Sequence, residues 1–250
     1  MPSEQATAMP RRGVPDDHPI ALMQSSSLPS LVQRELTQRI LAGEWPAGAK
    51  LNEADVAARL GVSRGPVREA FRALEESGLV RFEKNRGVFV RKVSLEEADQ
   101  IFELRALLDG YAGRRAAQNA KPDDVRALRA LVERMAAIAE RGDSDAYFTL
   151  NLAFHDRIVD LAGNAKLSQL YRRLVNELNL YRRASLTQPA NLPISVAEHR
   201  AIVERIAAGQ AAAAGRLLQD HVIGSRERAH RAQEPVAPTR RAGARSGARR

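Results

Sequence analysis

Three histidines stand apart in this chain. Of its five, His18 and His230 fall in or near the ends, whereas His155, His199 and His221 fall on three separate stretches of helical periodicity. Asn151 and His155 are four residues apart and so share one helical face. Imidazole is a common ligand for Zn, Ni, Cu and Fe, and three imidazoles with one oxygen donor make a good divalent site. An antiparallel return of the helices carrying His199 and His221 would bring those two together. The same three residues also read as polar side chains that each hydrogen-bond locally, and spacing alone leaves both readings open.

A second set is cationic. Arg64, Arg68 and Arg72 are spaced by four behind Ser63, which puts all three on one side of a helix. Arginine fits guanine O6/N7 bidentately and also binds phosphate, and a helix N-terminus is itself an anion site. Further on, Lys84-Asn85-Arg86-Gly87 places two cations beside a glycine, suited to lying against a nucleic-acid backbone or minor groove. Arg105 sits beside Leu104, Leu107 and Leu108. From its surroundings alone two readings stay open, one half of an interhelical salt bridge and a binding group for a carboxylate.

These residues need elements to position them. Leu31, Val32, Leu36, Ile40 and Leu41 recur at helical spacing and predict a first helix ending at Gly43. Asn52 precedes a short helix with Val56, Ala57 and Leu60 on one face, and Gly61 stops it. Ser63 can cap the next helix, whose apolar stripe is Val67, Ala70, Phe71 and Leu74 and which Gly78 ends. Two short strands follow, Leu79–Phe82 and Val88–Val90, joined by the charged turn Glu83–Gly87. Helix, helix, tight turn, helix and hairpin in this order predict a winged helix-turn-helix over residues 28–93, with the helix after Ser63 entering the major groove.

From residue 94 the chain reads as helix throughout. Ser94 and Glu97 form a capping-box pattern. Six amphipathic helices are predicted, at about 94–118, 122–142, 143–163, 166–186, 196–208 and 211–228, with Pro189 and Pro193 in the connection before the fifth. Short connections make this an all-α antiparallel bundle over 94–230. Residues 1–27 and 231–250 lack the periodicity and apolar content of a folded segment and are expected to be disordered.

Charge agrees with this division. The net charge is +9, but residues 94–230 hold 19 basic against 18 acidic residues, while 29–93 hold 12 against 8 and 231–250 hold 6 against 1. A basic excess confined to a small block suits a polyanion partner, and the basic tail is expected to add salt-dependent, sequence-independent affinity for DNA. The absence of cysteine excludes disulfides, iron–sulfur ligation and thiol catalysis. No stretch has the apolar length of a membrane span, and the first residues lack a secretory apolar core, so a cytoplasmic protein is expected.

The segment KLNEADVAARLGVSRGPVREAFRALEESGLV, followed by NRGVFV, resembles the GntR family of bacterial transcription regulators. GVSRGPVREA follows that family's G-V-S-R-x-P-V-R-E-A pattern, with Gly65 where threonine is common, which removes a hydroxyl. The resemblance implies a homodimer on an inverted repeat of operator DNA. Ser63, Arg64, Gly65 and Arg68 match DNA-contacting positions, and Lys84–Gly87 (Lys84, Arg86 and Gly87 among them) matches the wing more loosely. ELRALLDGYAGRRAA, NLAFHDRIVDLAGN and EHRAIVERIAAGQAAAAGRLLQDHV resemble the FCD effector domain of the FadR-like subfamily. Together the two resemblances span about residues 29–230.

The FCD resemblance implies a divalent metal, zinc or nickel first among candidates, with His155, His199 and His221 at the family's histidine positions. Asn151 stands at its aspartate position, a neutral and weaker oxygen donor. It also implies that Arg105 binds a carboxylate of a small organic-acid effector, for which the guanidinium fork is shaped, and that the protein is a repressor released by that effector and not an enzyme. A regulator that answers to metal alone is the alternative. A metal-dependent hydrolase is disfavoured, because no positioned general base such as that of HExxH accompanies the histidines.

Overall fold

The computed structural model describes residues 27–184 and 191–233. The chain forms two compact units that divide after Arg91. In the first, helix α1 (Leu28–Leu41) buries Val32, Leu36 and Ile40 against α3 (Arg64–Glu76), whose buried face is Val67, Ala70, Phe71 and Leu74. Between them lies α2 (Glu53–Leu60), capped by the Asn52 side chain on the amide of Ala54 at 2.9 Å. Gly61 closes α2 in the left-handed region at φ 66° and lets the chain turn sharply into α3. Strands β2 (Val80–Glu83) and β3 (Gly87–Val90) make the hairpin, with Asn85 and Gly87 at positive φ in and after its turn. A two-residue strand, β1 (Lys50–Leu51), pairs with the free edge of β3 to give the antiparallel order β1-β3-β2. Two residues are too few to show a strand period in the sequence.

Among its described residues the second unit is built of helices: α4 (Leu95–Asn119), α5 (Pro122–Glu140), α6 (Ser144–Leu161), α7 (Ala165–Ala184), α8 (Leu192–Ala207) and α9 (Ala211–Gln233). Each start has a local cause. Ser94 accepts from the amide of Glu97, Asp143 from that of Ala146, and Asn164 from those of Lys166 and Leu167. Helix α8 starts at Leu192, four residues before the sequence expectation of 196. Pro193 lies in its first turn, where its missing N–H costs nothing. Helix α9 continues past 228 to Gln233, so residues 231–233 are helical, not disordered. Ser27, the last residue of the first expected disordered segment, is ordered as the N-cap of α1, its side chain accepting from the amide of Ser30; the expected end of α7 at 186 and residues 1–26 and 234–250 lie outside the described residues. Leu128, Met135, Phe154, Ile158, Ile202 and Leu218 help fill the core.

Helices α4 and α9 pack most extensively, and glycines permit it. A Cβ on Gly215 would lie 2.6 Å from the carbonyl oxygen of Gly110, a backbone atom that cannot swing aside. Overpacking of this kind costs about 1–3 kcal/mol. Gly215→Ala is therefore expected to lower the melting temperature by roughly 2–12 °C, at about 2–4 °C per kcal/mol for a chain this long. Gly65→Ala, in α3 with nothing within 4 Å of the added carbon, is expected to raise it slightly. Differential scanning calorimetry of the two variants checks both signs.

Candidate functional site

In the first unit, Arg64, Arg68 and Arg72 are all exposed on α3, along the flank of its buried stripe. Ser63 occupies the N-cap position in extended conformation but makes no side-chain cap bond. Gly65 is exposed in the first turn with open space around it. Arg68 is engaged: its Nε and Nη2 donate to Glu53 Oε1 and Oε2 at 3.2 and 2.9 Å, and this contact holds the Glu53 carboxyl below its ordinary range. The wing is tied to the same helix, because Glu75 of α3 accepts the backbone N–H of Phe82 at 2.9 Å. At its tip Lys84 and Gly87 are exposed, while Arg86 pairs with Glu83 and lies 5.4 Å from the Phe89 ring centroid. The unit thus presents a cationic helix face and a basic hairpin held in fixed relation.

In the second unit, α6, α8 and α9 bring His155, His199 and His221 together, none more than 4% exposed. The Nε2 atoms of His155 and His221 are 3.3 Å apart, and those of His199 and His221 are 3.2 Å apart. The opposite nitrogens face outward to partners. His155 Nδ1 is 3.1 Å from Asp109 Oδ1, His221 Nδ1 is 2.6 Å from Glu198 Oε2, and His199 Nδ1 is 3.5 Å from the Tyr147 hydroxyl. Phe154 closes one side, its ring centroid 4.5 Å from that of His199. Burial lowers the pKa of all three imidazoles, that of His155 to about 4, against the opposing pull of Asp109 and Glu198 on their partners. All three are therefore neutral at pH 7. Burial also pushes the Tyr147 hydroxyl up to about 12, so it remains protonated.

This proton arrangement fits a cation. Asp109 and Glu198 are ionised acceptors, so His155 and His221 carry their protons on Nδ1 and direct bare Nε2 lone pairs at each other. His199 can donate one Nε2 proton to His221, which leaves the lone pair of His155 without a partner in the cluster. A divalent ion held by the three Nε2 atoms satisfies every lone pair at once. Carboxylates on the far nitrogens are the usual outer partners of metal-ligating histidines. Asn151 is half-buried on α6, one turn before His155.

Leu104 and Leu107 are 52% and 61% exposed, whereas Arg105 is 6% exposed and faces inward. Its salt bridge is not interhelical: Nη2 donates to Asp109 Oδ2 on the same helix at 3.2 Å and to the Tyr171 hydroxyl of α7 at 3.0 Å. Arg105 Nε is buried with no hydrogen-bond partner. A buried guanidinium with an unused donor is a place for one more acceptor. Asp109 thus touches both Arg105 and His155. Burial alone would raise its carboxyl pKa, but the Arg105 charge and the His155 bond hold it below the ordinary range.

Sequence reasoning passed over Asp109, Tyr147, Tyr171, Glu198 and Arg228, the last of which donates to both oxygens of Glu198 at 2.9 Å. Two weak signals were present. Asp109 is four residues after Arg105, and Glu198 adjoins His199.

Comparison with known proteins adds independent findings. The family model described as the FCD domain matches residues 100–224, and that described as bacterial regulatory proteins, gntR family, matches residues 30–90. The chain is 32% identical over 198 residues to the "Probable D-xylose utilization operon transcriptional repressor" of Paenarthrobacter nicotinovorans, covering 79% of this chain and 86% of that protein. It is 30% identical over 132 residues to the HTH-type transcriptional repressor RspR of Escherichia coli (strain K12), covering 53% and 56%. Among solved structures, E. coli McbR/YncC superposes with a TM-score of 0.72 at 22% identity, covering 82% of this chain and 98% of that one. At that identity the likeness speaks for the fold.

Proposed function

The chain belongs to the GntR family of bacterial regulatory proteins and carries an FCD domain, and from that premise we propose that this DNA-binding transcription regulator is a metal-containing repressor released by a small organic acid. Its relatives are transcription regulators and not enzymes, which removes the hydrolase reading. We assign operator recognition to residues 28–93, with Ser63, Arg64, Gly65, Arg68 and Arg72 addressing the major groove and Lys84, Arg86 and Gly87 the adjacent backbone or minor groove. We assign sensing to residues 94–230. That two of the relatives are named repressors supports repression. Among the described residues no helix is long and apolar enough to cross a membrane.

The observation that carries the sensing assignment is one buried network. It holds three converging Nε2 atoms and, one carboxylate away, a guanidinium with an unused donor. His155, His199 and His221 would hold the ion, with Asn151 offering a carbonyl oxygen as a weaker fourth donor. When bound, the metal supplies a Lewis-acidic anchor for an oxygen of the effector. Arg105 takes the effector carboxylate through its unused Nε donor, and Phe154 and Tyr147 wall the histidines off from solvent. Leu104, Leu107 and Tyr111 form an exposed apolar stripe on α4, at spacings of three and four. Such a stripe suits burial against a second copy of the chain, as recognition of an inverted repeat requires.

Release needs the effector to prefer one arrangement of the two reading heads over the other. DNase footprinting of the zinc-loaded full chain is expected to show two protected half-sites one helical turn or a multiple apart. A carboxylate effector, found by screening, is expected to erase them. A single unpaired footprint overturns the dimeric reading. A footprint that responds to zinc alone, and to no carboxylate, favours the metal-responsive alternative.

A further inference from the structure

Among the described residues, Asp109 is the carboxylate that touches both halves of the sensing network. Its Oδ2 accepts from Arg105 at 3.2 Å, and its Oδ1 accepts from His155 Nδ1 at 3.1 Å. Tyr171 closes the triangle, with its hydroxyl 3.0 Å from Arg105 Nη2 and 3.5 Å from Asp109 Oδ1. All four residues are at most 6% exposed, so solvent screens none of these contacts. Glu198 backs His221 in the same way and is held by Arg228, but its side chain is 30% exposed and water shares its charge.

We propose that Asp109 is a positioning residue that makes metal affinity depend on what occupies Arg105, so that effector and metal bind cooperatively through His155. This rests on the metal and effector reading given above. Asp109 carries one negative charge and divides it between two donors. A carboxylate arriving at the unused Nε donor of Arg105 competes for the guanidinium and leaves more of Asp109 for His155. A stronger bond at Nδ1–H makes Nε2 a better electron donor and tightens its hold on a cation. Linkage then requires the metal to tighten effector binding by the same factor. Tyr171 keeps Asp109 and Arg105 in register while this exchange occurs.

Zinc titration calorimetry on the full chain tests the relay without any effector. Asp109→Asn is expected to weaken zinc binding about 10- to 100-fold. Arg105→Gln frees Asp109 for His155 and is expected to tighten zinc binding severalfold. That gain is expected to shrink in the D109N background and to persist in the D109E background, where a carboxylate remains. Simple repulsion between Arg105 and the ion predicts a gain in the D109N background as large or larger, and that result overturns the relay. Should D109N not fold, the His155 Nδ1–H resonance in the zinc-loaded Arg105→Gln variant decides. The Nδ1–H resonance of His155 in the zinc-loaded chain moves downfield while that of His221 stays, and an unmoved His155 resonance overturns the proposal. Zinc binding with additive effects rejects the relay alone, whereas no zinc binding by the wild type rejects the metal reading beneath it as well.

Discussion

Replacing His199 by alanine is expected to abolish the stabilisation that zinc or nickel gives the wild-type chain. The ion is expected to add RT ln(1 + [metal]/Kd), about 2.7 kcal/mol at a hundredfold excess over Kd. At about 2–4 °C per kcal/mol, that is roughly 5–11 °C in melting temperature. His199 is fully buried in the cluster, its Nε2 3.2 Å from that of His221 and its ring against Phe154. Because burial keeps all three imidazoles neutral at pH 7, an incoming ion displaces no histidine proton from the Nε2 of His155 or His221. The quantity to compare is the metal-induced shift of each protein against its own chelator-treated baseline, since the alanine also leaves a cavity. His230→Ala lies outside the cluster and is expected to keep the full shift. An equal shift in wild type and H199A would move metal binding elsewhere in the chain. No shift in the wild type would mean that protons alone settle the three nitrogens.

What the sequence disclosed about this site follows from what periodicity encodes. It identified which histidines lie on helices, because apolar spacing fixes helix identity well. That α6, α8 and α9 bring His155, His199 and His221 within 4.8 Å of one another is a matter of helix packing, which spacing does not contain. The inward face of α4 shows the limit most plainly. Hydropathy would bury Leu104 and Leu107 and expose Arg105 and Asp109, yet the reverse holds. A buried ion pair is tolerated only where further hydrogen bonds complete it, and here His155 and Tyr171 do so from helices 46 and 62 residues away. In the reading head the match is closer, because contacts there are local: Gly61, the α3 stripe and the wing lie within about one supersecondary unit. The departures include β1, too short to have a period, the start of α8, where a proline that reads as a breaker stands in the first turn, and the end of α9, which runs on to Gln233.

Arg68→Ala is expected to weaken operator binding by roughly 5- to 150-fold, the range for one bidentate base contact, while non-specific DNA binding changes far less. The reason lies in how Arg68 is held. Glu53 takes the Nε edge and one Nη2 hydrogen, which leaves Nη1 and the second Nη2 hydrogen as two parallel donors directed away from the pair. Two parallel donors match guanine O6 and N7. The charge of Arg68 is already offset by Glu53, so its share of the general attraction to phosphate is smaller than that of Arg64 or Arg72, both exposed on the same face. Alanine at Arg64 or Arg72 is therefore expected to lower affinity for all sequences and to flatten the salt dependence by about one unit per lost phosphate contact. Glu53→Gln separates positioning from competition. If Glu53 orients Arg68, the variant loses operator preference in the same direction as Arg68→Ala, though by less. If Glu53 merely withholds Arg68 from phosphate, the variant binds every sequence more tightly, and the base-reading role of Arg68 falls with it. Fluorescence anisotropy with operator and scrambled duplexes across a salt series measures all of these at once, because specificity is the ratio of the two affinities and the phosphate contribution is the slope.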